Sequence, residues 1–425
     1  MSTATITNRA LQARLDSARQ LTDSIFGLLA PEALYSRPIP ERHRLIFYLG
    51  HLEAFDWNLI CRRTLDVGSF SPQFDALFEF GIDPPVGQAP ADQPSDWPGV
   101  EEVRAYKRRV RSRIDELLDQ APEQIVQVAL EHRLMHAETL AYLLHNLPYD
   151  QKTPIGAPLV HSTDRLLNPM IDIASGAATL GQKRGEFGWD NEFDEHLVNV
   201  AGFRVGKYKI TNGEYLSFVE QGAPAPHFWT RHGDQWFYRG MFFEVPLPAN
   251  APVYVTHAEA AAYARWAGRK LPTEAQFHRA AYSTSSTLHE THAGSERPYP
   301  WGLAAPGGNA APGANAANDE AYGNFDFHHW DPVDVNSNPA GDSAWGVSQL
   351  VGNGWEWTAT PFGPFPGFQT MPFYPGYSQN FFDEEHYVMK GGSPVTAACM
   401  LRRSFRNWFR PNYPYVYASF RLVEE

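Results

Sequence analysis

Cysteine is scarce. Two residues in 425, Cys61 and Cys399, exclude a disulfide scaffold and a metal site built on clustered thiolates. No apolar run approaches the roughly 20 residues that a helix needs to span a bilayer. The N-terminus lacks a basic stretch followed by an apolar one, so no secretory leader is expected. Positive charge is in deficit, with 35 Lys+Arg against 48 Asp+Glu and a formal net charge of −13. That balance repels nucleic acid and anionic membrane surfaces, which are excluded as partners. A soluble cytoplasmic protein is the expectation. Glycine is nearly missing from one end: residues 1–150 hold 6 of the 33. What the chain has in plenty is aromatic side chains, with 12 Trp, 19 Tyr and 27 Phe.

The uneven glycine divides the chain. The glycine-poor part carries long apolar periodicities at helical spacing, near Thr7–Leu29, Arg42–Leu65, Val100–Asp119 and Pro122–Leu147. Pro122 and Glu123 suit the first turn of the last of these. A Pro/Gly/Asp-rich loop is expected over Asp83–Gly99. Four such helices make a bundle. The rest has short apolar runs broken by Gly, Asn and Asp, with helices expected at Asn212–Glu220 and His257–Ala267. An Ala/Gly/Asn/Pro-rich surface loop is expected over Ser283–Asn324. The fold class is therefore α+β: a helical bundle over 1–150, a linker over 151–169, and a second domain over 170–425 with little regular structure.

The sharpest chemical signal lies in the fourth helix. Its apolar stripe runs Ile125, Ala129, His132, His136, Leu140, Leu143, Leu147, so two imidazoles face inward one turn apart. Imidazoles at that spacing can share one metal ion. Glu138 sits about 200° around the helix from His136 and should not join them. The second helix offers His51 on a stripe with Leu45, Leu49, Leu52 and Leu59. Three histidines without a carboxylate leave coordination positions open, as a catalytic metal requires. Buried histidines also serve as hydrogen-bonded core residues, and spacing does not distinguish Zn²⁺ from Fe²⁺. Trp355 and Trp357 read as core.

Several segments carry a family resemblance. Gly176-Ala-Ala-Thr-Leu-Gly181, Phe187-Gly-Trp-Asp-Asn-Glu192 and Lys209-Ile-Thr-Asn-Gly-Glu-Tyr215 resemble the opening of a formylglycine-generating-enzyme-type domain. Arg265–Glu274, Gly352-Asn-Gly-Trp-Glu-Trp-Thr358, Lys390-Gly-Gly-Ser393 and Ser419-Phe-Arg-Leu422 continue the pattern in order. The resemblance implies a C-type-lectin-like fold. Founding members oxidise a cysteine using paired cysteines near the C-terminus, and this chain has only Cys399 there. A DinB-like bundle bearing His-x3-His-x-Glu, followed by this domain, resembles the ergothioneine sulfoxide synthase (EgtB) family over nearly the whole chain. In that family the residues matching His51, His132 and His136 hold a non-haem Fe(II). O₂ is then used to join a chalcogen donor to C2 of the imidazole of hercynine, a trimethylated histidine, with a tyrosine assisting.

The resemblance extends to the substrate groups. The tyrosine segment survives as Pro372-Phe-Tyr-Pro-Gly-Tyr-Ser378, and Tyr374 and Tyr377 are both candidates for the proton donor. The substrate-binding positions implied are Asn407, Trp408, Phe409 and Arg410, with Met135 in place of the family's glutamine before the second histidine. Aromatic faces suit a quaternary ammonium, and Asn407 suits a carboxylate or imidazole. Phe409 replaces the family's aspartate, which holds the amine of γ-glutamyl-cysteine. The family's bundle-loop arginine has no counterpart in Phe78–Pro85. Those losses favour a selenosugar donor, as in the selenoneine synthase branch, over cysteine or γ-glutamyl-cysteine. Two further readings stay open: a non-catalytic lectin-like module with metal-free histidines, and a zinc hydrolase or thiol transferase.

Overall fold

Leu11, Leu15, Ala18 and Ile25 recur at helical spacing, and α1 (Thr3–Gly27) buries all four. The structure, a computed structural model, describes residues 3–82, 89–164, 166–284, 296–306 and 319–425. Residues 83–88 of the expected Asp83–Gly99 loop, and 285–295 and 307–318 of the expected Ser283–Asn324 loop, lie outside them. Two compact units form, one from Met1–Gly156 and one that begins at Ala157 and runs to Glu425. Among the described residues no helix is long and apolar enough to cross a membrane.

In the first unit α1 packs on α5 (Glu123–Asn146), and α2 (Leu45–Asp56) packs against α3 (Pro72–Phe80), α4 (Val100–Leu117) and α5. All 12 residues of α2 are buried. At about 1.5–3 kcal/mol for each large apolar side chain, this central helix anchors the unit. The Arg42–Leu65 expectation resolves into α2 followed by wider, π-helical turns over Trp57–Thr64. Pro122 caps α5 from an extended conformation rather than opening its first turn. The short α3 was not expected. Its signals are Pro72 in its first turn and Gly81, at φ 75°, just past its end. α3 can approach α2 because residue 50 is glycine, where a Cβ would strike the Phe78 ring.

The segment 151–169 is divided between the units. Lys152 donates to the carbonyls of Leu144 (2.7 Å) and His145 in the first. His161 and Ser162 bond to Asp334 in the second (2.7 and 2.9 Å).

The second unit is built from short pieces. β1 (Met170–Ile173), β4 (Phe203–Gly206) and β12 (Val423–Glu424) form an antiparallel sheet in the order β1-β4-β12. β2 (Gly176–Leu180) pairs with β3 (His196–Val200), and β5 (Trp229–His232), β6 (Gln235–Arg239) and β7 (Glu244–Pro246) form a meander. A fourth sheet, ordered β10-β9-β8-β11, joins Asn407–Phe409, Tyr387–Lys390, Trp355–Pro361 and Ala418–Ser419, the last pair parallel. α6 (Asn212–Glu220), α7 (His257–Trp266) and α8 (Glu274–Tyr282) each open on a threonine capping box, Thr211/Glu214, Thr256/Glu259 and Thr273/Gln276. Phe277 and Ala281 of α8 close on Ile173, Val205, Leu350 and Val423. Trp355 and Trp357 are buried as core. Charge is also buried here: Glu356 accepts two bonds from Arg421 (2.6 and 2.7 Å) and pairs with Lys209 at 3.2 Å.

Candidate metal centre

α2 and α5 bring the three histidines of the first unit together. One ring nitrogen from each of His51, His132 and His136 falls in a group whose members lie within 4.8 Å of one another. The ring centroids of His132 and His136 are 4.5 Å apart, as one helical turn dictates, and those of His51 lie 5.2 and 4.8 Å from them. A neutral imidazole has one N–H. That of His51 is taken by the Phe78 carbonyl through Nδ1 at 2.7 Å, which leaves the Nε2 lone pair facing Nε2 of His136 at 3.2 Å. A metal with nitrogen ligands at about 2.0–2.1 Å holds neighbouring ligands about 2.9–3.4 Å apart. The 3.2 Å between His51 and His136 fits, and the hydrogen bond from the far nitrogen is the usual way in which a ligating imidazole is aimed.

Burial keeps these rings neutral. It pushes His51 down to about 4, against the Phe78 hydrogen bond, and it pushes His132 and His136 well below the ordinary histidine range. Neutral imidazole is the form that binds metal. A pH dependence follows for the metal-free protein. The unfolded chain protonates His51 near 6.5 while the folded chain resists until about 4. Stability conferred by the neutral ring is therefore complete above the unfolded value and is lost as pH falls through this window. We expect the urea midpoint of EDTA-treated protein to fall between about pH 7 and 5 more steeply than that of a His51→Ala/His132→Ala/His136→Ala variant. Parallel pH profiles would contradict it.

Glu138 does not belong to the histidine group; it accepts a hydrogen bond from Tyr142 one turn along its own helix. Sequence reasoning missed the charges behind the histidines. Arg133, fully buried beside His132, donates to Glu53 (3.0 Å), Asp56 (2.6 Å) and the Leu52 carbonyl (3.0 Å), all on α2. Arg111 of α4 joins Glu53 at 2.7 Å and also binds Asp23 of α1. Burial alone would raise Glu53, but Arg133 and Arg111 outweigh it and hold it down to about 2. Burial does raise Asp56, against the pull of Arg133. The legible signal was the presence of Glu53 and Asp56 in an otherwise apolar helix.

In the second unit, Tyr377 stacks on Trp189 (3.9 Å, 23°) and meets the Trp408 ring edge-on (5.4 Å, 83°). Trp408 stacks on Phe362 at 4.2 Å, and Tyr374 lies 5.7 Å from Tyr377. Tyr377 is buried and Tyr374 half-buried. Asp190 ties the ends of their segment by accepting from the Ser378 hydroxyl and the Met371 N–H. Asn407 is half-buried, and its Oδ1 accepts from the Trp408 N–H at 2.9 Å. Phe409, next along β10, does not share the Trp408 cluster; adjacent strand residues point to opposite faces, and it stacks on Tyr413 at 5.0 Å. Arg410 is exposed and pairs with Glu385 at 3.8 Å. Met135, in the first unit, is half-buried on α5.

Residues 157–425 match the sulfatase-modifying factor enzyme 1-like domain, and residues 14–146 match the DinB superfamily. The chain is 30% identical over 468 residues to the hercynine oxygenase of Mycolicibacterium thermoresistibile, which covers 98% of this chain and 96% of that protein. It is 32% identical over 356 residues to the hercynine oxygenase of Mycobacterium tuberculosis, covering 76% and 77%. Ergothioneine biosynthesis protein 1 of Neurospora crassa is 28% identical over 94% of this chain, which spans 56% of that longer protein.

Proposed function

Because the chain belongs to the hercynine oxygenase family, we propose that it is an Fe(II)- and O₂-dependent enzyme joining a chalcogen donor to C2 of the imidazole of hercynine. The observation that carries this reading is the convergence of His51, His132 and His136, with a lone pair of His51 already aimed by Phe78. Three neutral imidazoles and no carboxylate suit an Fe(II) that keeps open positions, and such an ion supplies O₂ activation and holds the donor. The chain's own residues do the rest. Phe78 fixes the tautomer of His51, and burial keeps all three ligands unprotonated at neutral pH. We assign the proton donor to Tyr374 or Tyr377, and substrate contacts to Met135, Asn407, Trp408, Phe409 and Arg410. The Trp408 ring suits the trimethylammonium group of hercynine by cation–π attraction.

The relatives' names, hercynine oxygenase and ergothioneine biosynthesis protein, support ergothioneine chemistry, for which we take a thiol, cysteine or γ-glutamyl-cysteine, as donor. One residue favours a second reading, a selenosugar. At the position where the resembling family has a donor-holding aspartate, Phe409 offers an aromatic ring, backed by Tyr413, and no carboxylate for an ammonium. The test is a donor competition. Fe(II)-loaded, anaerobically purified protein receives hercynine and then air, with selenoglucose, cysteine or γ-glutamyl-cysteine in separate reactions read by mass spectrometry. A hercynyl sulfoxide from a thiol supports the first reading, and a selenium adduct from the selenosugar alone supports the second. No adduct from any donor by iron-loaded protein contradicts both.

A further inference from the structure

Three aromatic residues of α2 lie against the three imidazoles. Phe47, His51 and Phe55 succeed one another at four-residue steps, so they share one face of the helix. Phe47 stacks on His51, with centroids 4.7 Å apart and planes 24° apart. Tyr48 packs against His136 at 5.7 Å. The tightest contact crosses to α5: Phe55 covers His132 face to face, with centroids 3.4 Å apart and planes inclined by only 10°.

We propose that Phe55 is a positioning residue of the metal centre, its ring setting the plane in which His132 presents its nitrogen. The inference rests on the reading of the three histidines as metal ligands. An imidazole on a helix can turn about its Cβ–Cγ bond, a broad, soft torsion. A phenyl ring at van der Waals contact over its face blocks that turn, since rotation would drive ring atoms into Phe55. Phe55 is itself held: it is buried in α2, whose neighbouring Glu53 and Asp56 are locked to Arg133 on the same helix as His132. The helix register that places Phe55 over His132 is thus fixed on two sides.

The experiment measures metal affinity of the full chain without turnover. Fe(II) binding is read anaerobically by chelator competition, and Co(II) binding by its ligand-field spectrum, for wild type, Phe55→Leu, Phe55→Met and Phe55→Tyr. Ile114→Ala, a buried α4 substitution, reports loss of stability alone. Phe55→Leu and Phe55→Met, which keep apolar bulk without a flat face, are expected to bind both ions about 10-fold more weakly, with an altered Co(II) spectrum. Phe55→Tyr restores affinity and spectrum, and Ile114→Ala leaves both unchanged. Wild-type affinity and spectrum in Phe55→Leu and Phe55→Met overturn the inference, as does an equal loss in Ile114→Ala. Should one of the two apolar variants fail to fold, the other decides. A wild-type chain that binds neither ion overturns the trihistidine reading itself.

Discussion

His132→Ala is expected to leave a folded protein that binds Fe(II) more than about 100-fold more weakly than wild type, because loss of a ligand exceeds the 10–100-fold cost of losing a ligand's supporting partner. His136→Ala is expected to do the same. The two imidazoles stand one turn apart on α5, and removing either leaves two nitrogens from separate helices. The carboxylates of Glu138, Glu53 and Asp56 are held elsewhere, the first by Tyr142 and the other two by Arg133. The fold survives because α5 keeps its remaining apolar stripe, Ile125, Ala129, Leu140 and Leu143, all buried. Iron content after anaerobic desalting, with circular dichroism on the same samples, is the check. Stoichiometric iron in both variants would defeat the ligand assignment.

Arg133→Ala is expected to give the largest loss of stability, about 3–5 kcal/mol, as for other buried pairs stripped of one partner. The guanidinium is fully buried and serves two carboxylates on α2. Arg111 still reaches Glu53 in the variant, so Asp56 becomes the uncompensated charge. Its carboxyl, already raised by burial, then takes up a proton more readily, and the loss shrinks as pH falls. Urea unfolding of metal-free protein at two pH values measures both effects. A loss under about 1 kcal/mol at neutral pH would show that the pair contributes little, as exposed pairs do.

The parts of this molecule that were legible in the sequence are those with a long period. Helical spacing located the four long helices, and the stripe through Ile125, His132, His136 and Leu143 placed two imidazoles on an inward face. The two short helices expected at Asn212–Glu220 and His257–Ala267 form within one residue of those bounds, each opening on a threonine capping box. What escaped has local or non-local causes. α3 has only nine residues, too few for periodicity to register, yet its Phe78 carbonyl aims His51. The Arg133–Glu53–Asp56 cluster joins residues about 80 positions apart, a separation that composition does not encode. Residues 407–409 do not by themselves reveal their pleat: β10 turns Trp408 and Phe409 to opposite faces, and Phe409 stacks on Tyr413.

X-ray absorption at the iron edge of anaerobically loaded protein tests the account most directly, since it reports the atoms around the ion irrespective of turnover. Light-atom neighbours at about 2.0–2.2 Å with the outer-shell pattern of three imidazoles are expected, with loss of one imidazole's worth of that pattern in His51→Ala. A spectrum without imidazole scattering, or one unchanged in His51→Ala, would contradict it.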